Sequence, residues 1–565
     1  MRKILLAASA ALLAACGAAP EEPRTTSEAT VRQVAEGELI GYEADNGAYV
    51  WRGVPFAAAP EGDLRWRAPR AAAAWDGRRE ALDDAPRCLQ MSKVYDRDEG
   101  IDAGVLIGDE DCLYLNVFAP PGEAVAPRPV MMWIHGGGNT WGRAAGYNGA
   151  KLAVNEDVIV VAPQYRLGPL GWFAHGALRE DAEIPLDASA NFGTLDLIQA
   201  LTWIKDNIAT FGGDPNNVTI FGESAGGHNV VTMLASPYAD GLFHRAIIQS
   251  GMFDSVSLAD AENGADQPNA AGKIADRLGV ADAAALRGVS LQDLFDAYEL
   301  DEWDGVEPPR VISDDPVLPT ATVRQAFADT ATFNVTPIIT GTNKDEMKLF
   351  QALDPRLVNQ FAGVFIWPKD RAFYDALSTY QSRVWRARSV DEPGAMMAEA
   401  GHSEVYGYRF DWDEGGKFLV TDFGVLFGAA HAMEIPFVFN HFEFFGDSDR
   451  IVFAGATKES REALASEMGA YWAAFARSGD PNAGRNGAPQ WPTLDGPAGT
   501  RLMRFDSAAD GGNEAIVGAE SFEGVLADLA VDDSIDAAQK CLIAEAIEFW
   551  APERIDEIAA AVSCG

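Results

Sequence analysis

The chain has few basic residues. Among its 565 residues are 44 lysines and arginines against 84 aspartates and glutamates, which gives a formal net charge of −40 at pH 7. Such an acidic surface repels the phosphates of nucleic acids and anionic lipid headgroups. The composition therefore argues against a nucleic-acid partner.

Long apolar runs are also missing, apart from one at the N-terminus. Arg2-Lys3 precede an apolar stretch from Ile4 to Leu13 that is too short to span a bilayer and predicts an export signal. It ends in Leu13-Ala14-Ala15-Cys16, which resembles a bacterial lipobox. Residues 1–16 are therefore predicted to be a signal peptide with Cys16 lipidated, and the alternative is an ordinary signal peptide that contains a cysteine.

The segment after this signal is predicted to be a tether. Residues 17–32 are rich in Pro, Glu, Thr and Ser, a composition typical of a disordered linker. The mature chain is expected to be anchored in the bacterial cell envelope, on the periplasmic or outer-membrane face, or else secreted. Membrane contact is expected only through the N-terminal lipid.

Cysteines are scarce, and their spacing excludes the usual metal sites. Besides Cys16 there are Cys88, Cys112, Cys541 and Cys564, and neither nearby pair has metal-ligand spacing. Structural disulfides in an oxidising compartment are expected, and of the three possible connectivities we predict the sequentially nearest pairs. No metal or organic cofactor is expected, since the chain's triple-glycine run lacks the Lys-Ser or Lys-Thr that phosphate binding needs.

No low-complexity linker or internal repeat divides the rest, so residues 33–565 are predicted to form one domain. Largely continuous apolar runs predict buried parallel strands, and a helical period between Leu195 and Ile208 predicts a crossover helix. The pattern is that of a doubly wound α/β fold. The predicted strands are Val130–Ile134, Val158–Ala162, Val218–Phe221, Ala246–Ser250, Pro337–Thr340 and Val405–Phe410.

Other segments are predicted to lie outside this sheet or at its margin. Residues 39–42 and 48–51 read as a hairpin around Asp45-Asn46-Gly47. Residues 258–316 and 368–399 are predicted to be helical insertions without strands.

The most informative motif is Gly222-Glu223-Ser224-Ala225-Gly226, between an apolar strand and an apolar helical segment. This arrangement describes a nucleophile elbow, in which the glycines relieve the crowding of a tight, strained turn. Ser224 is therefore a candidate nucleophile. A pentapeptide of this kind also arises by chance in glycine-rich loops.

A second glycine-rich segment follows the predicted strand that ends at Ile134. His135-Gly136-Gly137-Gly138 can turn backbone N–H groups toward a substrate, as an oxyanion hole requires. The expected donors are Gly137, Gly138 and Ala225. The alternative is a glycine-rich loop with no such role.

Together with these motifs, further segments give the chain a resemblance to the type B carboxylesterases, the family that also contains the cholinesterases. It covers nearly the whole mature chain and implies the α/β-hydrolase fold, a mostly parallel sheet flanked by helices with large helical insertions. The matching segments are Arg52 to Ala57, Glu110 to Val117, Tyr165 to Gly171, Phe211 to Pro215, Gly479 to Asn482 and Trp491-Pro492.

The resemblance also implies which residues complete a Ser-His-Glu triad. The family's acid lies in a segment matched by Gly341 to Glu346, which favours Glu346, although Met347 replaces the usual glycine. Spacing alone does not separate Glu346 from Asp345. Three of the seven histidines follow the acid, and His431 matches the family's base motif, whereas His402 and His441 are expected to pack or lie at the surface.

Several neighbours of these motifs are interpreted as scaffold. Glu223 adjoins the nucleophile on the turn and is expected to point elsewhere, as a buried charge partner. His228, on the helix after Ser224, is not expected to be catalytic. By the resemblance, Arg65 with Glu110 and Arg166 with Asp196 are expected to form ion pairs that hold the loops around the site.

The predicted function is that of a serine carboxylesterase acting on uncharged small-molecule esters. Cholinesterases bind the quaternary ammonium on a tryptophan in the loop that corresponds to residues 88–112, and this loop contains none. The alternatives are an amidase or specialised ester hydrolase with the same triad, and a non-catalytic adhesion module. The oligomeric state is left open. Aromatic residues that could line a pocket, or belong to the core, are Trp141, Trp172, Phe173 and Phe350.

Overall fold

A computed structural model describes residues 23–300, 310–313, 315–361, 365–494, 500–562 and 564. The predicted signal peptide and Cys16 lie outside these residues. Within them, no helix is both long and apolar enough to cross a bilayer.

The predicted tether at 17–32 ends earlier than expected. Thr26 forms a β-bridge with Tyr42, Glu28–Thr30 form a 3₁₀ turn, and a strand begins at Arg32. Thr30 is fully buried, and its hydroxyl accepts from the N–H of Gly41. Polar composition predicted a linker here, but hydrogen bonds to the neighbouring strands hold the segment against the domain.

The largest sheet in the described part of the chain has eleven strands: β1 (Tyr42–Glu43), β2 (Tyr49–Pro55), β3 (Tyr114–Ala119), β4 (Arg128–Ile134), β5 (Ile159–Pro163), β6 (Gly213–Glu223), β7 (Arg245–Gln249), β8 (Ile338–Asn343), β9 (Val405–Phe410), β10 (Thr500–Phe505) and β11 (Glu514–Val517). Their order across the sheet is β11-β10-β9-β8-β7-β6-β4-β5-β3-β2-β1. Strands β4 to β10 run parallel to one another, and antiparallel strands complete both edges.

Both faces of the sheet are covered, as the continuous apolar runs predict. In β4, Val130, Met132 and Ile134 belong to one hydrophobic cluster. Met131 and Trp133 belong to a second cluster on the opposite face. This two-sided burial is why the strand has no polar alternation.

Helices pack on the sheet and at its ends. Eight of them are labelled α1 (Ala150–Glu156), α2 (Phe192–Asn207), α3 (Ala225–Ala235), α4 (Arg371–Arg386), α5 (Lys458–Ser478), α6 (Phe522–Val531), α7 (Ala537–Glu548) and α8 (Ile555–Ala561). Further helices are Gly168–Gly171, Gly176–Glu180, Leu258–Asn263, Ala271–Leu278, Ala283–Arg287, Leu291–Asp296, Val323–Ala326, Lys348–Gln351, Glu392–Glu399, Phe423–Leu426, Ile435–Val438 and Asp449–Val452.

Two expectations about short strands need correction. The N-terminal hairpin pairs Tyr42–Glu43 with Tyr49–Val50, so the predicted first strand contributes only Tyr42, while Gly37–Ile40 joins a separate three-stranded sheet. The first insertion is not free of strands, because Ile312–Ser313 pairs with Val256–Ser257. The remaining short strands are Arg32–Val34, Arg78–Glu80, Gln90–Met91, Leu106–Ile107, Val358–Phe361, Phe365–Pro368, Lys417–Phe418 and Thr421–Asp422.

Covalent and ionic links tie the loops to this framework. Cys88 is bonded to Cys112 and Cys541 to Cys564, with Cα–Cα distances of 5.0 and 5.6 Å, which is the predicted pairing. Arg65 binds both carboxylate oxygens of Glu110 at 2.7 Å. Arg166 binds Asp196 at 2.8 and 2.7 Å. Both ion pairs are buried, so loss of one partner would leave an uncompensated charge.

Candidate active site

Ser224 lies at the sharp turn between β6 and α3. Its backbone angles are φ 58° and ψ −123°, a strained conformation for a residue other than glycine. A Cβ on Gly226 would lie 1.9 Å from the carbonyl oxygen of Ile134, and one on Gly222 would lie 2.6 Å from Gly226. Because only glycine fits on either side, the turn brings the serine against the end of β4, where it is partly exposed.

The glycine-rich loop after β4 contacts this turn directly. A Cβ on Gly136 would lie 3.1 Å from Cβ of Ser224. Gly137 and Gly138 have φ values of 106° and 61°, in the region that favours glycine. Within the described residues, the N–H groups of Gly137, Gly138 and Ala225 donate to no acceptor, so they are available to a ligand oxygen beside Ser224.

Hydrogen bonds hold this loop in place. The carbonyl of Gly137 accepts from the N–H groups of Thr140 and Trp141 at 3.0 and 3.1 Å. The side chain of Asn229, on α3, donates to Asn139 at 2.9 Å. Since α3 also begins at the serine turn, the loop and the nucleophile are fixed to the same element.

His431 and Glu346 are brought together by two different loops. Nδ1 of His431 lies 2.6 Å from Oε2 of Glu346, and the His431 backbone N–H donates to the Glu346 carbonyl at 3.2 Å. Glu346 also accepts from the Ser250 hydroxyl at 2.5 Å and from the Asn343 N–H at 2.7 Å. Because a carboxylate only accepts, Nδ1 carries a proton, and in the neutral imidazole Nε2 is the basic nitrogen.

The alternative candidates for the catalytic acid and base make contacts elsewhere. Asp345 pairs with Lys348 at 3.0 Å and accepts from the N–H of Ala429 at 3.3 Å. His402 packs edge-on against Phe333. His441 lies 3.6 Å from Glu443.

His228 is also separate from the Glu346–His431 pair. Its Nε2 lies 2.7 Å from the carbonyl of Asp254. Burial lowers the pKa of this imidazole, which favours its neutral form.

The side chain of Glu223 does not point in the expected direction. It is buried, but its carboxylate faces His431, with Oε1 3.1 Å from Nε2. The two ring nitrogens of His431 contact Glu346 and Glu223, and the Ser224 hydroxyl makes no hydrogen bond to any described residue. Catalytic hydrogen bonds in free enzymes are often long and tighten when substrate binds.

The electrostatics of this cluster follow from three buried carboxylates, those of Glu223, Glu346 and Glu434. Burial raises the pKa of Glu223 to about 8, and it also raises the pKa of Glu434. Burial opposes the charged form of His431, but Glu223 and Glu346 outweigh it and raise the pKa of the imidazole to about 9. The site therefore favours a protonated histidine.

Aromatic rings surround the imidazole. Phe350 and Trp385 lie 5.3 and 4.9 Å from His431, measured between ring centroids. Of the aromatic residues singled out from the sequence, Trp172 and Phe173 are core residues, each 1% exposed. Trp385 was missed, because it lies on α4 with no motif around it.

Comparisons with known proteins agree with this arrangement. A model of the carboxylesterase family matches residues 28–363 and 369–515. Fumonisin B1 esterase of Sphingopyxis macrogoltabida is 33% identical over 529 residues, covering 88% of this chain and 90% of that protein. Para-nitrobenzyl esterase of Bacillus subtilis strain 168 is 31% identical over 476 residues, covering 79% and 89%.

A solved structure extends the agreement to the fold. The crystal structure of a Geobacillus stearothermophilus carboxylesterase at pH 6.8 aligns with a TM-score of 0.65 and 31% identity, over 84% of this chain and 96% of that one. Family match, relatives and structure all point to one group of enzymes. The chain therefore belongs to the carboxylesterase family, with the α/β-hydrolase fold, and is a carboxylic ester hydrolase.

Proposed function

We propose that the chain hydrolyses uncharged carboxylic esters through an acyl-enzyme on Ser224, with His431 as general base and Glu346 as its orienting acid. The 2.6 Å contact between His431 Nδ1 and Glu346 Oε2, beside the serine turn, is the observation that carries this proposal. Residues 33–565 act as one catalytic domain. No metal or organic cofactor takes part.

The mechanism has two steps of the same kind. Nε2 of His431 takes the proton of Ser224 as Oγ attacks the ester carbonyl, and the N–H groups of Gly137, Gly138 and Ala225 stabilise the oxyanion. The imidazolium returns the proton to the leaving alcohol, and an acyl-enzyme remains. Water, deprotonated by Nε2, then attacks the acyl carbon, and the acid is released as Ser224 regains its proton. Glu346 stabilises the imidazolium throughout.

Charge and loop composition support an uncharged substrate. The chain carries a net charge of −40, so an anionic ester would be repelled from its surface. The loop between Cys88 and Cys112 lacks the tryptophan that would hold a choline ammonium. A panel of p-nitrophenyl esters with increasing acyl length tests this: neutral esters should be hydrolysed, and a clear preference for choline or anionic esters would contradict it.

Two other functions use the same scaffold. An amidase or a specialised ester hydrolase would use the same catalytic groups. Anilides with the same acyl groups, added to the ester panel, distinguish an amidase. A non-catalytic adhesion module would leave the panel unhydrolysed. The nucleophile, base and acid positions are all occupied by competent residues, which favours the enzyme.

We also propose export and anchoring through Cys16, in the bacterial cell envelope. The two disulfides fit an oxidising compartment. Labelling of the expressed full-length chain with a fatty-acid analogue should be lost in Cys16→Ser. Equal labelling of the two proteins would refute lipidation at this residue.

The raised pKa of His431 predicts an alkaline pH profile. The base works only when neutral, so kcat/KM for a neutral ester should fall as pH drops below the imidazole pKa of about 9. Glu223→Gln removes one attracting carboxylate and should move this acid limb to lower pH.

A suitable control is Glu443→Gln, which removes an exposed carboxylate beside His441 and should leave the profile unchanged. The raised pKa of His431 is contradicted if the acid limb of the wild-type profile gives the ordinary pKa of a histidine. Its attribution to Glu223 is contradicted if Glu223→Gln does not move the limb.

A further inference from the structure

The C-terminal part of the chain forms a helical cap that lies beyond residue 515, where the match to the family model ends. We call residues 518–562 with Cys564 the C-terminal cap; it contains α6, α7 and α8. Its core is fully apolar, and it packs on helix α4. Fully buried members of this shared cluster are Phe522, Val525, Leu529, Val384, Ile543 and Ile547.

Polar contacts fix the cap on one face of α4. Tyr380 donates its hydroxyl to Asp532 at 2.8 Å, and Arg383 pairs with Glu520 at 2.9 Å. The indole N–H of Trp550, directly after α7, donates to Gln381 at 3.2 Å. About one turn of α4, residues 380–383, is thus tied to the cap, and the contact with Gln381 fixes the Trp550 ring.

From Trp550 a chain of rings leads to the catalytic histidine. Trp550 lies 4.4 Å from Trp385, and Trp385 lies 4.9 Å from His431, measured between ring centroids. Trp385 is 4% exposed, and its indole N–H makes no hydrogen bond within the described residues. Ring packing therefore holds Trp385, and Trp550 supplies one side of that packing.

The loop that carries Trp550 is closed covalently. Cys541 lies on α7 and Cys564 lies at the chain's end, so the disulfide encloses Trp550 between them. The closed segment has fewer open conformations available to it, which favours the docked position of Trp550. The cluster of the cap also includes Met347 and Phe350, which follow the acid Glu346 in sequence.

We infer that the C-terminal cap is part of the catalytic apparatus: Trp550, held by Gln381 and the Cys541–Cys564 loop, presses Trp385 against His431 and positions the imidazole. Trp385 and Trp550 are positioning residues. The Trp385 ring covers one side of the base and offers an aromatic face to the imidazolium that forms during each proton transfer, and the Trp550 ring packs against Trp385. This inference rests on the proposed role of His431.

The test is Trp550→Ala, compared with Trp550→Phe. The control is Leu542→Ala, a substitution of an exposed residue within the same disulfide-closed loop. Trp550→Ala should lower kcat about two- to twelvefold, the factor that loss of an aromatic ring pair corresponds to, with KM changed less than twofold. Trp550→Phe should restore most of kcat, and Leu542→Ala should match wild type. The rate at which a fluorophosphonate labels Ser224 should fall with kcat.

Circular dichroism and thermal unfolding identify variants that do not fold. If Trp550→Ala does not fold, Trp550→Leu keeps apolar volume without the ring and carries the same expectation. A folded variant without the ring that keeps wild-type kcat overturns the inference, as does a loss that appears in KM alone or is not restored by phenylalanine. The proposed function fails separately, if wild type shows no ester hydrolysis that depends on Ser224.

Discussion

Replacing Ser224 with alanine should lower kcat for ester hydrolysis by about five to six orders of magnitude. Without Oγ no acyl-enzyme forms, and the oxyanion donors and bound water supply only residual catalysis. The protein should still fold, because the hydroxyl makes no hydrogen bond to a described residue. Initial rates with a p-nitrophenyl ester measure the effect.

Ser236→Ala is the matched control, since this serine follows the end of the helix that begins after Ser224. Its hydroxyl accepts from the N–H of Tyr238, so the change removes a local cap and leaves the chemistry intact. Activity should stay at the wild-type level. A Ser224→Ala activity close to that of the wild type would reject Ser224 as the nucleophile.

Glu346→Gln should lower kcat by about four orders of magnitude while preserving the fold. The amide is nearly the size of the carboxylate, but its NH₂ group donates to Nδ1 of His431 and forces the proton onto Nε2. The base is then in the wrong tautomer, and the imidazolium loses its counter-charge. Steady-state kinetics at several pH values measure the loss.

Asp345→Asn separates the two adjacent carboxylates, which sequence spacing alone does not rank. Asp345 contacts Lys348 and the N–H of Ala429, away from the imidazole, so its loss should cost a few-fold at most. The reverse pattern, a large loss in Asp345→Asn with Glu346→Gln near wild type, would move the acid to position 345.

Local patterns predicted the parts of the site that local geometry sets. Gly222 and Gly226 are needed because no Cβ fits beside Ile134 and the serine turn, and this requirement is visible in five consecutive residues. The continuous apolar runs likewise predicted the central parallel strands. Selecting Glu346 and His431 required the family resemblance, because the two residues come together only in the folded chain.

The expectations that failed concern contacts between residues that are far apart in the sequence. Glu223 was expected to point away, yet the loop that carries His431 folds back over it. Strands β10 and β11 at the sheet's edge were not predicted, and neither was the short strand Ile312–Ser313. No sequence motif marks Trp385 or Trp550, and only packing in the folded chain places Trp385 beside the base and Trp550 beside Trp385.

The central claim is that Ser224 is a nucleophile activated by His431. The most direct measurement is the stoichiometry and position of fluorophosphonate labelling, read by intact mass and by peptide mapping. One adduct per chain is expected, on the peptide that contains Ser224, and it should be absent in Ser224→Ala and much slower in His431→Ala. An adduct on another residue, or no adduct on folded wild-type protein, would contradict the account.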